Sequence, residues 1–276
     1  MRGTPEVKEE ELEILLTDLN ERYGYDFTDY SRASLKRRVN RLMVTEKFPS
    51  FAEMRFRLIE DPFYLRRFIE EITVNVTEMF RDPEFFTYLR NQILPHLGTY
   101  PFIRIWIAGC ASGEEAYSIA ILMEELKLLN KTLIYATDIN PRVLEGAQTG
   151  IFPIRSMQQY SENYRLSGGT EEFSKYYIAQ YDKALFKESL RNKIVFSPHN
   201  LVSDRSFNSF QLILCRNVLI YFQLRLQNRV FKLFDASLDQ LGYLALGAKE
   251  TLRFSEIYNK YKQVDSREKI WRKNEA

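Results

Sequence analysis

Over residues 1 to about 73, apolar positions recur at the spacing of a helix with one buried face. Leu12, Leu15, Leu16 and Leu19 form a stripe in EEELEILLTDLNERYGY, and Leu35, Val39, Leu42 and Met43 form another in DYSRASLKRRVNRLMVTEKF. SFAEMRFRLIED opens on Ser50 with Glu53 three positions later, a spacing that caps helix N-termini. PFYLRRFIEEITVN keeps the pattern until the β-branched Thr73, Val74 and Val76, where the helix should stop. Pro62 and Pro83 punctuate the region.

From about residue 102 the texture changes. Short apolar runs (FIRIWIA, LIYATD, KIVFSP, FQLILC and GYLALG) alternate with longer amphipathic stretches, the rhythm of a parallel sheet with crossover helices. Trp106 lies mid-strand and is expected in the core. Near the end, KYKQV and EKIWRK flank a short turn, so the sheet should finish in an antiparallel hairpin. Between Phe152 and Lys193 the rhythm breaks into a polar, aromatic stretch too long for a loop, which predicts a small inserted subdomain. The expected organisation is a helical domain over 1–73, a linker and first helix over 74–101, and an α/β domain over 102–276 with an insertion at 153–193.

Composition narrows the function. The chain has 276 residues, 45% hydrophobic and 28% charged, with a net charge of +2, the balance of a soluble globular protein. No apolar run approaches the roughly 20 residues that cross a bilayer. The opening MRGTPEVKEEELEILL turns acidic at once and has no secretory pattern. Cys110 and Cys215 are the two cysteines, expected as reduced thiols. His96 and His199 have no Cys or His neighbour at ligand spacing, so no metal is expected. These features predict a cytoplasmic protein without membrane insertion.

The stretch RIWIAGCASGEEAYSIAI reads as a strand, a glycine-bearing turn and a helix. Gly109 and Gly113 let the backbone approach a ligand closely. The spacing is not G-x-G-x-x-G, and Glu114 and Glu115 in the first helical turn would repel a pyrophosphate. A phosphate-free ligand with a cationic end, such as S-adenosylmethionine, fits better. Asp138, ending the next strand in LIYATDIN, is placed to take ribose hydroxyls. The bland alternative is that the acids only favour a helix N-terminus.

Several motifs occur in order: NVTEMFRD (75–82), AGCASGEEAYSIAI, ATDINPRVLEGAQTGIF (136–152), HNLV (199–202) and CRNVLIYF (215–222). In this combination, over nearly the whole chain, the sequence resembles the CheR-type chemoreceptor glutamate methyltransferases. The resemblance implies a helical N-terminal domain followed by a Rossmann-like S-adenosylmethionine-dependent methyltransferase domain with a small antiparallel β insertion. Asn75, Thr77 and Arg81 would close over the cofactor from the linker. Glu115 and Asp138 would hold its amino acid and ribose parts. Asn200 with Leu201, and Arg216 with Asn217, would line the adenine and methionine pocket, while Arg81 and Tyr221 would face the reacting methyl group. Structural alternatives remain: Tyr221 as a core tyrosine, Asn200 as a turn residue, Arg216 as an ion-pair partner, and Asn75 and Thr77 as caps of the helix beginning in RDPEFFTYLRNQIL. His199 is read as incidental.

The resemblance also implies a partner. SRASLKRRVNR carries Arg32, Lys36, Arg37, Arg38 and Arg41 without an acid; Arg37 and Arg41 fall one turn apart with Arg38 flanking. In the family this helix faces the acidic methylation helices of a chemoreceptor coiled coil, which makes Arg37, Arg38 and Arg41 the expected partner-binding residues. Near-neutral overall charge and the lack of an aromatic platform argue against nucleic acid. The chain is expected to act as a monomer. It departs from the family where many relatives carry His-Ser-Glu near the C-terminus: here the stretch is LGAKETLRF, with Lys249 and Glu250. The extra glycine-bearing loop of relatives that dock a tethered receptor peptide is missing; SGGTEEF lies earlier. Glu78 replaces a small residue. A small-molecule carboxyl methyltransferase, a cofactor-binding module without turnover and, more distantly, a nicotinamide oxidoreductase are the rival readings.

Overall fold

The computed structural model describes residues 6–73 and 77–275. Contacts divide the chain into two units, Met1–Val74 with Ile220–Val230, and Asn75–Leu219 with Phe231–Ala276. The sequence pattern runs the C-terminal domain unbroken from 102 to 276; the structure instead groups residues 220–230 with the helices.

In the first unit, α1 (Glu9–Tyr23), α2 (Arg32–Thr45), α3 (Phe51–Glu60) and α4 (Pro62–Ile72) bury the predicted stripes. Ser50 caps α3 by accepting from the Glu53 N–H at 3.3 Å, as the spacing predicts. Asp61 caps α4 in the same way, accepting from the Phe63 and Tyr64 N–H groups. Helix α4 stops at Thr73, whose hydroxyl turns back to donate to the Ile69 carbonyl. The 220–230 segment joins this unit through the backbone: the Ser31 N–H donates to the Tyr221 carbonyl, and the Gln223 N–H to that of Asp29.

The second unit begins with α5 (Pro83–Tyr88), a π-turn over Leu89–Ile93 and α6 (Leu94–Leu97). Its strands are β1 (Ile103–Ala108), β2 (Thr132–Asp138), β3 (Ile151–Pro153), β4 (Tyr177–Gln180), β5 (Lys183–Phe186), β6 (Ile194–Pro198), β7 (Phe210–Cys215), β8 (Leu238–Leu246), β9 (Tyr261–Asp265) and β10 (Ile270–Lys273). They alternate with α7 (Glu114–Glu125), α8 (Pro141–Thr149), α9 (Met157–Leu166), α10 (Glu188–Arg191) and α11 (Leu224–Ser237), the last of which belongs to the first unit as far as Val230. Seven strands form the main sheet in the order β6-β2-β1-β7-β8-β10-β9. The first five are parallel, and β10 runs antiparallel to both β8 and β9, the predicted hairpin.

Alternation along β1 sends Ile103, Ile105 and Ile107 into the core shared with α5 to α7. Trp106 points the other way, fully buried against Phe207, Phe210, Phe234 and the His199 ring. The insertion forms a second, antiparallel sheet, β3-β5-β4. Its aromatic residues Phe152, Phe173, Tyr176 and Phe186 belong to the same core as the main sheet. Glu125 at the end of α7 ties the two together, accepting from the Tyr164 and Tyr176 hydroxyls and pairing with Arg90 at 2.6 Å.

Candidate functional site

The carboxyl ends of β1 and β2 carry the turn that opened the site in the sequence. Gly109 (φ 79°) and Gly113 (φ 92°) adopt left-handed backbone, as does Ala111 (φ 47°). A side chain at Gly109 is excluded twice over, because its Cβ would lie 2.4 Å from a Val218 methyl. The N–H groups of Gly109 and Cys110 both donate to the Thr137 carbonyl. Asp138 completes the turn: Oδ2 accepts from the Ala111 N–H at 2.9 Å and Oδ1 from the Asn140 N–H at 3.0 Å. The carboxylate is only 8% exposed, and burial raises its pKa.

Glu114 and Glu115 diverge. Glu114 is buried, accepting from the Ser112 hydroxyl at 2.7 Å and the Tyr160 hydroxyl at 3.3 Å. Desolvation raises its pKa. Such a group contributes most to stability below its unfolded pKa of about 4.3, and that contribution is lost as pH rises through the folded value. Glu114→Gln keeps an acceptor for Tyr160 and removes the buried charge, so it should raise Tm at pH 7. The gain should be about 2–4 °C per kcal/mol relieved and shrink towards pH 4, as read by scanning calorimetry.

Glu115 faces Arg216 instead. The Arg216 side chain, 2% exposed, donates through Nη1 to Glu115 at 2.8 Å and through Nη2 to Asp82 at 2.7 Å and the Arg81 carbonyl at 3.2 Å. Its guanidinium lies 3.9 Å from the Phe85 ring centroid. Arg216 therefore joins the segment after β7, the start of α7 and the start of α5.

Other predicted residues distribute as follows. The His199 N–H donates to the Asp138 carbonyl, which sets Asn200 and Leu201 beside the end of β2. Asn200 also stabilises its own turn, accepting from the Val202 N–H. Leu201 is buried, and Asn217 adopts left-handed backbone (φ 62°). Thr77 precedes α5, whose first residue is Pro83, so it does not cap that helix. Arg81 directly precedes Asp82, the N-cap residue of α5. Asn75 lies outside the described residues. In the helical unit, Tyr221 lies under the Arg38 guanidinium, 5.4 Å from ring centroid to Cζ. Arg38 is half-buried and also donates to the Ile72 carbonyl, so it is turned inward. Arg32 pairs with Glu13 and Lys36 with Glu6, whereas Arg37 and Arg41 are exposed. Sequence reasoning did not foresee Asp82 and Tyr160 as partners of site residues; both contacts are between distant segments.

The donor set fits S-adenosylmethionine. Three carboxylates, Glu114, Glu115 and Asp138, surround the turn against one guanidinium, Arg216, which pairs with Glu115 and Asp82. The remaining excess of negative charge favours a sulfonium and an ammonium over phosphates. Asp138 spends one acceptor site on each oxygen within the turn, leaving lone pairs for hydroxyl donors.

Residues 75–270 match the family described as "CheR methyltransferase, SAM binding domain", and residues 10–73 match "CheR methyltransferase, all-alpha domain". This chain belongs to the CheR methyltransferase family. It is 43% identical over 264 residues to Cher3 of Pseudomonas putida, covering 96% of this chain and 97% of that protein. It is 35% identical to the chemotaxis protein methyltransferase of Listeria innocua (83% and 85% covered) and 31% identical to that of Borreliella burgdorferi (90% of each). As a CheR methyltransferase it uses S-adenosylmethionine. The observed architecture, an all-helical unit and a mixed seven-stranded sheet with a small antiparallel sheet, is the one the resemblance implies. Among the described residues no group of His, Cys, Asp and Glu is arranged to hold a metal, and no helix is long and apolar enough to cross a membrane.

Proposed function

We propose that this CheR methyltransferase esterifies glutamate side chains on the acidic cytoplasmic helices of a chemoreceptor, acting as a cytoplasmic monomer. The observation that supports this acceptor is on α2. Arg37 and Arg41 lie one turn apart and exposed, while the other cations of the helix are engaged within the protein. A positive ridge of this kind speeds encounter with an acidic rod and weakens with salt.

The bound cofactor would supply a methyl carbon activated by the neighbouring sulfonium. A glutamate carboxylate is already ionised at neutral pH, so displacement needs no general base. With the cofactor bound, the new oxygen–carbon bond would form as the carbon–sulfur bond breaks, leaving a methyl ester and S-adenosylhomocysteine with no proton exchanged. The protein's task is then placement and exclusion of water, which for well-aligned groups is worth up to roughly 7–11 kcal/mol. In this reading Asp138 holds the ribose and Glu115 the amino acid part. Asn200, Leu201, Arg216 and Asn217 line the adenine and methionine pocket, and Asn75, Thr77 and Arg81 close over it. Arg81 and Tyr221 orient one acceptor oxygen while the other attacks.

The test incubates the purified protein with methyl-labelled S-adenosylmethionine and a receptor cytoplasmic fragment. Label released by mild alkali is the expected result; alkali-stable label, or none, sinks the reading. Charge reversal at Arg37 and Arg41 together should raise KM for the fragment at least about tenfold, a coupling of about 1.4 kcal/mol, with kcat little changed. Undiminished methylation of the fragment by that double variant would remove the α2 ridge from acceptor binding, whereas label on a small carboxylic acid and none on the fragment would favour a small-molecule acceptor. S-Adenosylhomocysteine binding without any methylation would point to a regulatory module.

A further inference from the structure

We propose that Glu250 is a positioning residue for the cofactor, setting the wall of the site through the backbone after β7. It lies just beyond β8 in LGAKETLRF, is 5% exposed, and spends its carboxylate on four backbone N–H groups. Oε2 accepts from Gly247 at 2.6 Å and Asn217 at 3.1 Å, and Oε1 from Val218 at 2.9 Å and Leu219 at 2.7 Å. Three consecutive N–H groups aimed at one carboxylate leave the 217–219 backbone a single arrangement, including the left-handed Asn217.

What this arrangement holds is the cofactor turn. Val218 sits so close to Gly109 that a Cβ there would come within 2.4 Å of its Cγ2. Arg216, just before the stapled segment, carries the contacts to Glu115 and Asp82. A shift of the 217–219 backbone therefore moves both the floor beneath Gly109 and the Arg216 clamp. Gly247 makes the staple feasible, because a Cβ at that position would lie 2.8 Å from Glu250 Oε2 and 2.9 Å from the Asn217 nitrogen. The inference rests on reading the Gly109–Gly113 turn as the cofactor site.

Glutamine cannot replace Glu250. Its amide nitrogen would face two N–H donors, so whichever way the group turns, two of the four bonds become donor against donor. For Glu250→Gln we expect the Kd for S-adenosylhomocysteine, by calorimetry, and the KM for S-adenosylmethionine to rise at least about tenfold, with kcat changed by less than about threefold. A purely structural role would lower the fraction of binding-competent protein, and so the apparent kcat, at unchanged Kd. Gly247→Ala, which leaves the carboxylate intact but crowds it, should raise Kd in the same direction and serves should Glu250→Gln not fold. Lys249→Ala, an exposed neighbour, should bind as the parent does. An unchanged Kd in whichever of the two crowding or amide variants folds overturns the inference. Failure of the parent protein to bind S-adenosylhomocysteine would instead overturn the cofactor site itself.

Discussion

Asp138→Asn should weaken S-adenosylhomocysteine binding about 100-fold or more. The native carboxylate accepts one N–H on each oxygen, from Ala111 and Asn140. Asparagine has the same shape, but its NH2 must face one of those donors in either orientation. Leaving a buried N–H without an acceptor costs about 1–3 kcal/mol. Ala111 is a non-glycine residue held at φ 47°, a conformation costing on the order of 1–3 kcal/mol that persists only where its surroundings enforce it. Release of that residue would let the turn relax away from the ligand. The substitution also removes the charge expected to receive the ribose hydroxyls. Together these effects amount to about 3 kcal/mol, a little over two decades in Kd. Titration calorimetry decides, and parent-like affinity would remove Asp138 from the site.

Arg216→Lys should lower Tm by about 6–20 °C and abolish measurable methyl transfer. The arginine serves Glu115, Asp82 and the Arg81 carbonyl through a planar fork, with its Cζ 3.9 Å from the Phe85 ring centroid. An ammonium offers neither the fork nor the stacking surface. The partner that matters energetically is Glu115, at 13% side-chain exposure; Asp82 is 48% exposed and its pairing is screened by water. Lysine keeps the charge but cannot reach all three oxygens. Hydrogen bonds to charged groups are worth about 1.5–3 kcal/mol each, so losing two costs roughly 3–5 kcal/mol with the exposed Asp82 contact discounted. A unit of this size loses about 2–4 °C per kcal/mol. Thermal unfolding and a turnover assay measure the two effects. Parent-like values in both would show that the contact network carries no load.

Most of the main sheet was legible in short windows. FIRIWIA and FQLILC are long enough, and branched enough, to be strands buried on both faces, and KYKQV with EKIWRK encloses too short a turn for any crossover. The Ser50 cap and the stop at Thr73 involve bonds within four residues, which a reading of neighbours can find. The site was legible only in part. Asp138 follows from its place at a strand end. The contact of Arg216 with Glu115 spans 101 residues and that with Asp82 spans 134, so no local pattern reports them. Arg38 illustrates the same limit: on a helical wheel it flanks Arg37 and Arg41, yet Tyr221 and the Ile72 carbonyl draw it inward. Glu250 looked like a departure from its relatives' pattern, and nothing in LGAKETLRF says that its carboxylate reaches back to residues 217–219.

The amino-acid sequence alone settled the two kinds of architecture, the strand-turn-helix that favours a cationic ligand, and the family. The first two depend on residue spacing, backbone sterics or charge within one segment, and the family on the order of several short motifs along the chain. Tertiary structure decided which carboxylate meets which donor: Glu115 with Arg216, Glu114 with Tyr160, Glu250 with three successive amides, and residues 220–230 with the helices. Those pairings arise only after chain segments far apart in sequence are brought within about 3 Å, the range at which hydrogen bonds select their partners.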